Sequence, residues 1–492
     1  MKRSTLFFLL AASVALPGYA QAASFFIPGN LVVSVEGNGV QGAASGVYTD
    51  NQAAPLTLFQ FKSNGTASAS YVNSLVLPQT ANGANAAISG EYGSSSEGGL
   101  QLTGDGKALT IMGYGVNAAA FNANPTAYGT LTNDPTKPAA LGQSGSLTGQ
   151  AYTPVSRVVA VVRTDGQVDT TTTLFNVYNG NNPRSVYSLD GSSFYTSGQG
   201  NSPDATGGVF RTTLGSHTAG AITGLDTSGG TSSQDTRMVQ VYNNQLYVSA
   251  DSKAGSGSNR DFIGTLGAQG ALPTSVANGG AGPTRLPGYG NSGGTGKVTL
   301  TAGQTNGINA AKQEINLSPE SFFFANATTL YVADSGVPKN DSVSNDKTGA
   351  PLGDGGLQKW VFTGGSWTLE YTLAAGLNLV ANNSAAGTTG LLGLTGEVIG
   401  NSVELFATNY TVGDTDPTYL FGITDALLAT TKPVGEQFSI LATAPKDSNF
   451  KGVAWAPVPE PSAWMLMVAG VGMVGAATRL RRRRQALAAG AY

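Results

Sequence analysis

The chemistry open to this chain is narrow. It has no Cys and a single His, His217, among 492 residues. A Cys/His zinc site, a disulfide framework, a thiol nucleophile and a multi-histidine metal centre are therefore excluded. Carboxylates are the remaining route to metal binding or acid–base work. Asp334, Asp341, Asp346 and Asp354 fall in one polar stretch, Asp334 to Gly355, and an oxygen-rich loop of that kind can hold Ca²⁺. Their spacing reproduces neither an EF-hand nor a tandem nonapeptide calcium repeat. The stretch therefore reads first as a solvated loop, with calcium the one cofactor it would admit. Paired carboxylates for glycoside hydrolysis need a defined separation across a cleft, which sequence spacing does not fix.

Two glycine motifs match catalytic patterns in letters only. Gly37-Asn38-Gly39-Val40-Gln41-Gly42 follows an apolar run and fits G-x-G-x-x-G, but Ala43 to Tyr48 opens no sustained helix. Without a βαβ setting the glycines cradle no pyrophosphate. Gly290-Asn291-Ser292-Gly293-Gly294 fits the nucleophile elbow, which needs a strand–turn–helix and a His later in the chain. The only His precedes it. Both motifs read as loops and His217 as an exposed turn residue, so no catalytic or cofactor-binding residue is assigned.

The elements that would carry these residues are short alternating runs separated by Gly/Ser/Asn/Asp stretches, the pattern of antiparallel β structure. Glycine is abundant, 68 residues, and charged residues make up only 11%. The clearest unit comprises Ser321 to Phe324, Thr329 to Asp334, Leu357 to Phe362 and Trp367 to Leu373. Four strands in a meander make a propeller blade. In three other units the third strand begins about 14 residues after the second, from Phe194 to Gly208, Tyr247 to Asp261 and Leu405 to Tyr419, and a recurrence of that size signals a repeat architecture. Three strands near the N-terminus (30–35, 56–62, 71–77) lack a fourth, and one strand at 450–456 lacks companions. Joining them closes a ring and removes open edges. The expected fold is all-β, a six-bladed β-propeller with blades at 98–178, 183–226, 236–276, 318–373 and 393–444 besides the closing one. The count becomes seven if residues 279–317 hold a degenerate blade. A pair of β-sandwiches or a β-helix is the competing architecture.

The termini carry addresses. Lys2 and Arg3 precede the apolar run Leu6 to Leu16 and a small-residue site ending at Ala22, the form of a secretory signal peptide cleaved after Ala22 or the neighbouring Ala23. At the other end Val458-Pro459-Glu460-Pro461 precedes an uncharged stretch, 463–478, and then Arg479, Arg481, Arg482, Arg483 and Arg484. As a helix of 16 residues it would be about 24 Å long, short for a hydrocarbon core of about 30 Å, with arginines that can reach the headgroups. The signal peptide sends the body outward and the basic cluster stays on the cytoplasmic side. Removing residues 1–22 and 463–492 takes away seven of 26 basic residues and none of the 29 acidic ones, leaving a body with net charge −10. Such a surface disfavours nucleic acid and anionic lipid.

The Pro459-Glu460-Pro461 motif, apolar stretch and arginine cluster, in that order, resemble the PEP-CTERM sorting signal of Gram-negative bacteria. The resemblance covers about the last 35 residues. It implies recognition and cleavage by an exosortase, a membrane transpeptidase-like enzyme, in bacteria that make exopolysaccharide. The domain reading is signal peptide 1–22, propeller-like body 23–457 and sorting signal 458–484. The expected protein crosses the inner membrane, is held there transiently and ends at the cell surface or outside. As a function we expect a non-enzymatic surface or extracellular-matrix, biofilm-associated component, in contact with exopolysaccharide through loops such as 274–296 and 334–356. One alternative is a propeller hydrolase or lyase acting on glycans or phosphate esters by carboxylate or calcium chemistry. The other is a surface adhesin or sensor that binds a protein partner.

Overall fold

The computed structural model describes residues 24–39, 47–94, 96–130, 139–201, 204–223, 235–251, 261–277, 282–290, 296–301, 304, 314–337, 352, 354–381 and 383–459. The signal peptide and the expected membrane helix, 463–478, lie outside them. Among the described residues no helix is long and apolar enough to cross a membrane.

The body is an all-β, propeller-like arrangement of antiparallel sheets. Four stand alone with four strands each, in chain order across the sheet: Pro183–Ser188 to Gly220–Ala221, Thr236–Tyr242 to Thr284–Arg285, Pro319–Asn326 to Ser366–Leu373, and Thr388–Ile399 to Ser439–Thr443. The rest form a nine-stranded sheet made of two sets. In the closing set Ser448–Trp455, Leu31–Gly37, Ala53–Asn64 and Ser68–Val76 lie side by side. In the second, Gln101–Leu102, Ala108–Tyr114, Arg157–Arg163 and Val168–Leu174 do. The short strand Ser89–Glu91 bridges them, pairing with Ala53 to Pro55 and with Tyr114.

The expected closure is present: Leu31 pairs with Trp455, Val33 with Val453 and Gly37 with Ser448, antiparallel. A register shift between Val33 and Val35 leaves the Ser34 hydroxyl to donate to Gly98 O at 2.5 Å and accept from Gly452 N at 2.7 Å.

Side-chain alternation explains why so many strands are buried along their whole length. In Arg157–Arg163, Val158, Ala160 and Val162 face the closing set, whereas Val159 and Val161 face Val186, Phe194 and Phe210 of the next sheet. Further on, Leu330 and Val332 pack with Ile263 and Trp360, while Tyr331 and Ala333 pack with Leu391, Leu405 and Phe421. A period of two thus feeds two different cores from one strand, and each sheet is stacked between neighbours. The last such core joins Phe406 and Leu420 to Leu31, Phe59, Phe450 and Val453, returning the stack to its start.

The innermost strands, Gln101–Leu102, Pro183–Ser188, Thr236–Tyr242, Pro319–Asn326, Thr388–Ile399 and Ser448–Trp455, each lie against the next around the centre. Glycine lets them approach: a Cβ on Gly452 would come within 2.1 Å of Leu100 N, and one on Gly393 within 2.6 Å of Lys451 O. All six begin at one end of the ring. Alternation then ends the strands that lead into the longer connections, at Gly37, Tyr114, Gly198, Asp251, Asp334 and Thr411, on that same side, here called the long-insertion end. The opposite end carries tight turns such as 243–244, 327–328 and 400–401, apart from the longer connections 267–283 and 427–438.

Several boundaries differ from expectation. The Thr236 sheet does not end at 276; its fourth strand is Thr284–Arg285. Residues 279–317, considered as a further blade, supply that strand and a two-stranded hairpin, Lys297–Thr299 with Glu314–Asn316, among the described residues. Ser89–Glu91 and the insertion 115–156, with its helix Ala118–Ala123 capped by Asn117, were not foreseen.

Replacing Val453, which is buried in the closing core, by Asp puts an unpaired charge where both termini meet. Val453→Asp is expected to cost more than about 4 kcal/mol and to lower the urea midpoint of the whole body in one transition. A loss below about 1 kcal/mol would show that closure contributes little to stability.

Candidate functional site

The end of the channel beneath the long insertions is lined by charge. Four of the six innermost strands place a charged side chain there near their starts: Arg184, Arg237, Glu320 and Lys451. Glu97 enters from the segment leading into Gln101–Leu102. All five are nearly or wholly buried.

These charges are turned on one another. The Arg237 guanidinium reaches Glu320 Oε2 at 3.2 Å, Asp235 Oδ1 at 3.5 Å and Asp251 Oδ2 at 3.7 Å. Arg184 pairs with the same Asp235 and donates to Gln199 Oε1 at 3.0 Å. Ser318 Oγ donates to Asp251 Oδ2 at 2.6 Å. Lys451 lies 3.5 Å from Glu36 Oε2 and donates to Ser94 O. Glu97 accepts from the Tyr114 hydroxyl and from Asn182 Nδ2, and Glu91 from Gly142 N. Arg157, wholly buried against the Tyr114 ring at 4.6 Å, donates to the carbonyls of Ser144, Val155, Tyr178 and Asn181 at 2.8 to 3.0 Å. It thereby fastens the insertion 115–156 to the adjoining sheet.

Burial sets the protonation of this group. It pushes Glu36 up to about 8, against the pull of Lys451 and helped by Glu97. Glu91 and Glu97 are raised for the same reason. Burial draws Arg184 down to about 9, and the neighbouring Arg237 adds to that. Arg237 also suffers from burial, but Glu320 and Asp251 outweigh it and its value rises.

Little space remains among them. The cavity at the charged end measures about 30 Å³, room for one or two waters. Farther along, between Leu102, Gln240, Phe323, Thr395 and Trp455, the channel widens to about 170 Å³ and is lined by uncharged side chains. Small-molecule sites start near about 300 Å³.

The residues singled out from sequence lie elsewhere. Asp334 is buried at the base of the connection 335–355, where Oδ2 accepts from Ser318 N at 2.9 Å and Gln358 Nε2 at 2.8 Å and Oδ1 from Gly336 N at 2.9 Å. Burial raises its carboxyl well above the usual range. Asp354 accepts from Asn316 N at 3.4 Å. Asp341 and Asp346 lie outside the described residues. Among the described residues no group of three or more metal-ligating side chains is placed to hold an ion. Gly37 ends its strand at φ 113° and Gly290 sits in a turn at φ 69°; the rest of the nucleophile-elbow motif is outside the described residues. His217 is exposed in a bend, its Nδ1 2.6 Å from Thr173 Oγ1.

The charged collar escaped sequence reasoning because its members are scattered over the whole chain. The signal that finds most of it is a charge at the second residue of a strand, repeated as Arg184, Arg237 and Glu320 in Pro183–Ser188, Thr236–Tyr242 and Pro319–Asn326.

Residues 457–483 match the PEP-CTERM protein-sorting motif. The tail is a PEP-CTERM sorting signal. Such a signal implies export and processing at the membrane by an exosortase-type enzyme, and here the described body runs directly into it at Pro459. No curated protein matches the chain. Among solved structures, the chain is similar to the soluble aldose sugar dehydrogenase of Escherichia coli, at 11% identity and TM-score 0.33, over 78% of this chain and 97% of that one. It is also similar to Trypanosoma rangeli sialidase, at 11% identity and TM-score 0.36, over 78% of this chain and 52% of that one. A third, Citrobacter koseri AztD, has 9% identity and TM-score 0.28, over 87% and 98%. Likeness at these scores and identities carries no functional argument.

The Glu36 shift sets a pH dependence. An unfolded Glu36 ionises near its ordinary value of 4.5 and the folded one near 8. Its contribution to stability is full below 4.5 and is lost as pH rises through 8. Unfolding free energies of Glu36→Gln across that window should fall less steeply with pH than those of the wild type; parallel curves would show that Glu36 ionises normally.

Proposed function

We propose that the chain is the precursor of an exported surface or extracellular-matrix protein that binds and does not catalyse. In this reading its body is a six-bladed propeller, and its long-insertion face contacts exopolysaccharide. The blade count is supported by the run of innermost strands, each lying against the next, and by the apolar cores that alternate sides along each sheet and return to the closing set.

One observation carries the binding reading: the collar at the channel mouth, where a propeller could hold a substrate, is occupied by ion pairs that leave about 30 Å³. A buried charge network of this kind costs several kcal/mol per ion in desolvation and is tolerable only if its members pair with each other. Arg237 does so with three carboxylates, and Lys451 lies between the Ser94 carbonyl and Glu36. The connecting segments on this side are polar in composition, Pro338 to Pro351 with no net charge and Ser252 to Arg260 with two basic residues, Lys253 and Arg260. Ser252 to Arg260 has no large apolar side chain and Pro338 to Pro351 has one, Val343. Hydroxyl and amide groups on such loops suit a hydrated glycan. Of the loops considered for that contact, 335–355 belongs to this face, whereas the start of 274–296 runs along the flank, where Pro273 O accepts from the Tyr195 hydroxyl and Ala277 N donates to Ile222 O.

In cells, exchanging Pro459, Glu460 and Pro461 for alanine should leave an unprocessed, membrane-retained protein. The purified mature body should be retained by the host's own exopolysaccharide. A variant with 338–351 replaced by a Gly/Ser linker should elute earlier with an unchanged melting temperature. Unaltered release of the body would defeat the sorting part of the reading, and equal elution of body and an inert control the binding part.

A further inference from the structure

The two ends of the ring differ in the apolar side chains they expose. Thirteen large apolar residues are exposed among the described residues. Val47 belongs to the long-insertion face, and Tyr71, Val76, Val276 and Ile440 lie on the flank, on outer strands or the 267–283 connection. The other eight are at the short-turn end. Leu189 and Leu214 stand in neighbouring turns, joined by Leu214 N donating to Ser192 O at 2.9 Å. Val398 and Ile399 lead into the 400–401 turn. Leu428 and Val434, 76% and 103% exposed, project from the connection 427–438, which is tied to that turn by Leu427 N donating to Asn401 O at 2.9 Å. Ile27 precedes the strand Leu31–Gly37 at the same end.

Val458 completes the set, and it shows where the chain leaves the body. The innermost strand Ser448–Trp455 runs from the long-insertion end to the short-turn end. Beyond it, Val458 N donates to Gly106 O, in the turn after Gln101–Leu102, at 2.8 Å. From Pro459 to the uncharged stretch that starts at Ala463 there are four steps of chain, which reach at most about 3.6 Å each, or roughly 14 Å. An anchored body is thus held by its short-turn end, close to the bilayer.

We propose that in the membrane-anchored precursor the short-turn face rests on the outer surface of the bilayer through these apolar side chains, and that the long insertions point away from it. The proposal rests on the anchored, sorted reading given above. It commits to a lipid surface as the occupant because the exit point and the short tether bring no other surface so near. The contact is apolar and not electrostatic, since the body is acidic overall. Scattered single side chains bind weakly alone, and the tether supplies the effective concentration that makes the contact form. Cutting the tail would then release the body with its insertions already directed outward.

The absence of cysteine allows clean single labels. Thr49→Cys on the long-insertion face and Asn401→Cys in the short-turn face both fall at exposed positions, at opposite ends of strands of seven residues or more and so at least about 23 Å apart along the strand direction. Residues 23–492 with either label are reconstituted into phosphatidylcholine–phosphatidylethanolamine vesicles that carry a membrane-bound energy acceptor. Higher transfer from 401 than from 49 is expected. Adding Leu428→Ser and Val434→Ser, both at exposed sites, should lower transfer from 401 while the protein still floats with the vesicles. Equal transfer from the two labels in floating protein would overturn the orientation alone. Protein that does not float would overturn the anchored reading and the orientation with it.

Discussion

The pairing of Ser448–Trp455 with Leu31–Gly37 is the constraint on which the rest of the molecule depends. It joins segments more than 400 residues apart, a costly loop to close, and the intervening sheets lower that cost by folding the chain between them. It also supplies one wall of the last apolar core, through Phe450 and Val453 against Phe59, Phe406 and Leu420. The same strand carries Lys451 to the channel mouth, opposite Glu36 on its partner strand. Closure, core and charge collar therefore share a few residues.

The collar in turn limits what the channel can do. Arg184, Arg237, Glu320 and Lys451 converge because their strands start at one end, and the two arginines are tolerable there only with Asp235, Asp251 and Glu320 among them. Removing one member of such a buried set leaves its partners uncompensated. The network thereby ties the strand starts of neighbouring sheets to one another and leaves recognition to the insertions above them. The insertion 115–156 is held by Arg157 and its carbonyl partners, and the base of 335–355 by Asp334. Both connections thus have buried, hydrogen-bonded roots.

Much of this was legible in the chain. Short alternating runs located the strands, and an unpaired strand at each terminus pointed to closure. The Pro459-Glu460-Pro461 motif with its arginine cluster gave the sorting address. What escaped had physical causes. Ser89–Glu91 is three residues, Ser-Gly-Glu, with no β-branched side chain, and is fixed only by its neighbours. Thr284–Arg285 is two residues after a long connection. Asp334 attracted notice as a possible calcium ligand, yet its carboxylate is engaged by Ser318, Gly336 and Gln358. The collar is assembled from positions more than 300 residues apart, such as Lys451 and Glu97, and spacing along one chain does not report that proximity.

Native-state hydrogen exchange tests the central claim most directly. If closure holds the body together, the amides of Leu31–Gly37 and Ser448–Trp455 exchange together, through the same opening event as the buried strands Arg157–Arg163 and Thr329–Asp334, with an opening free energy equal to that of global unfolding. Exchange of Ser448–Trp455 through a separate low-energy opening, while the other sheets stay protected, would contradict it: the C-terminal strand would then be an appendage and not the closure of the ring.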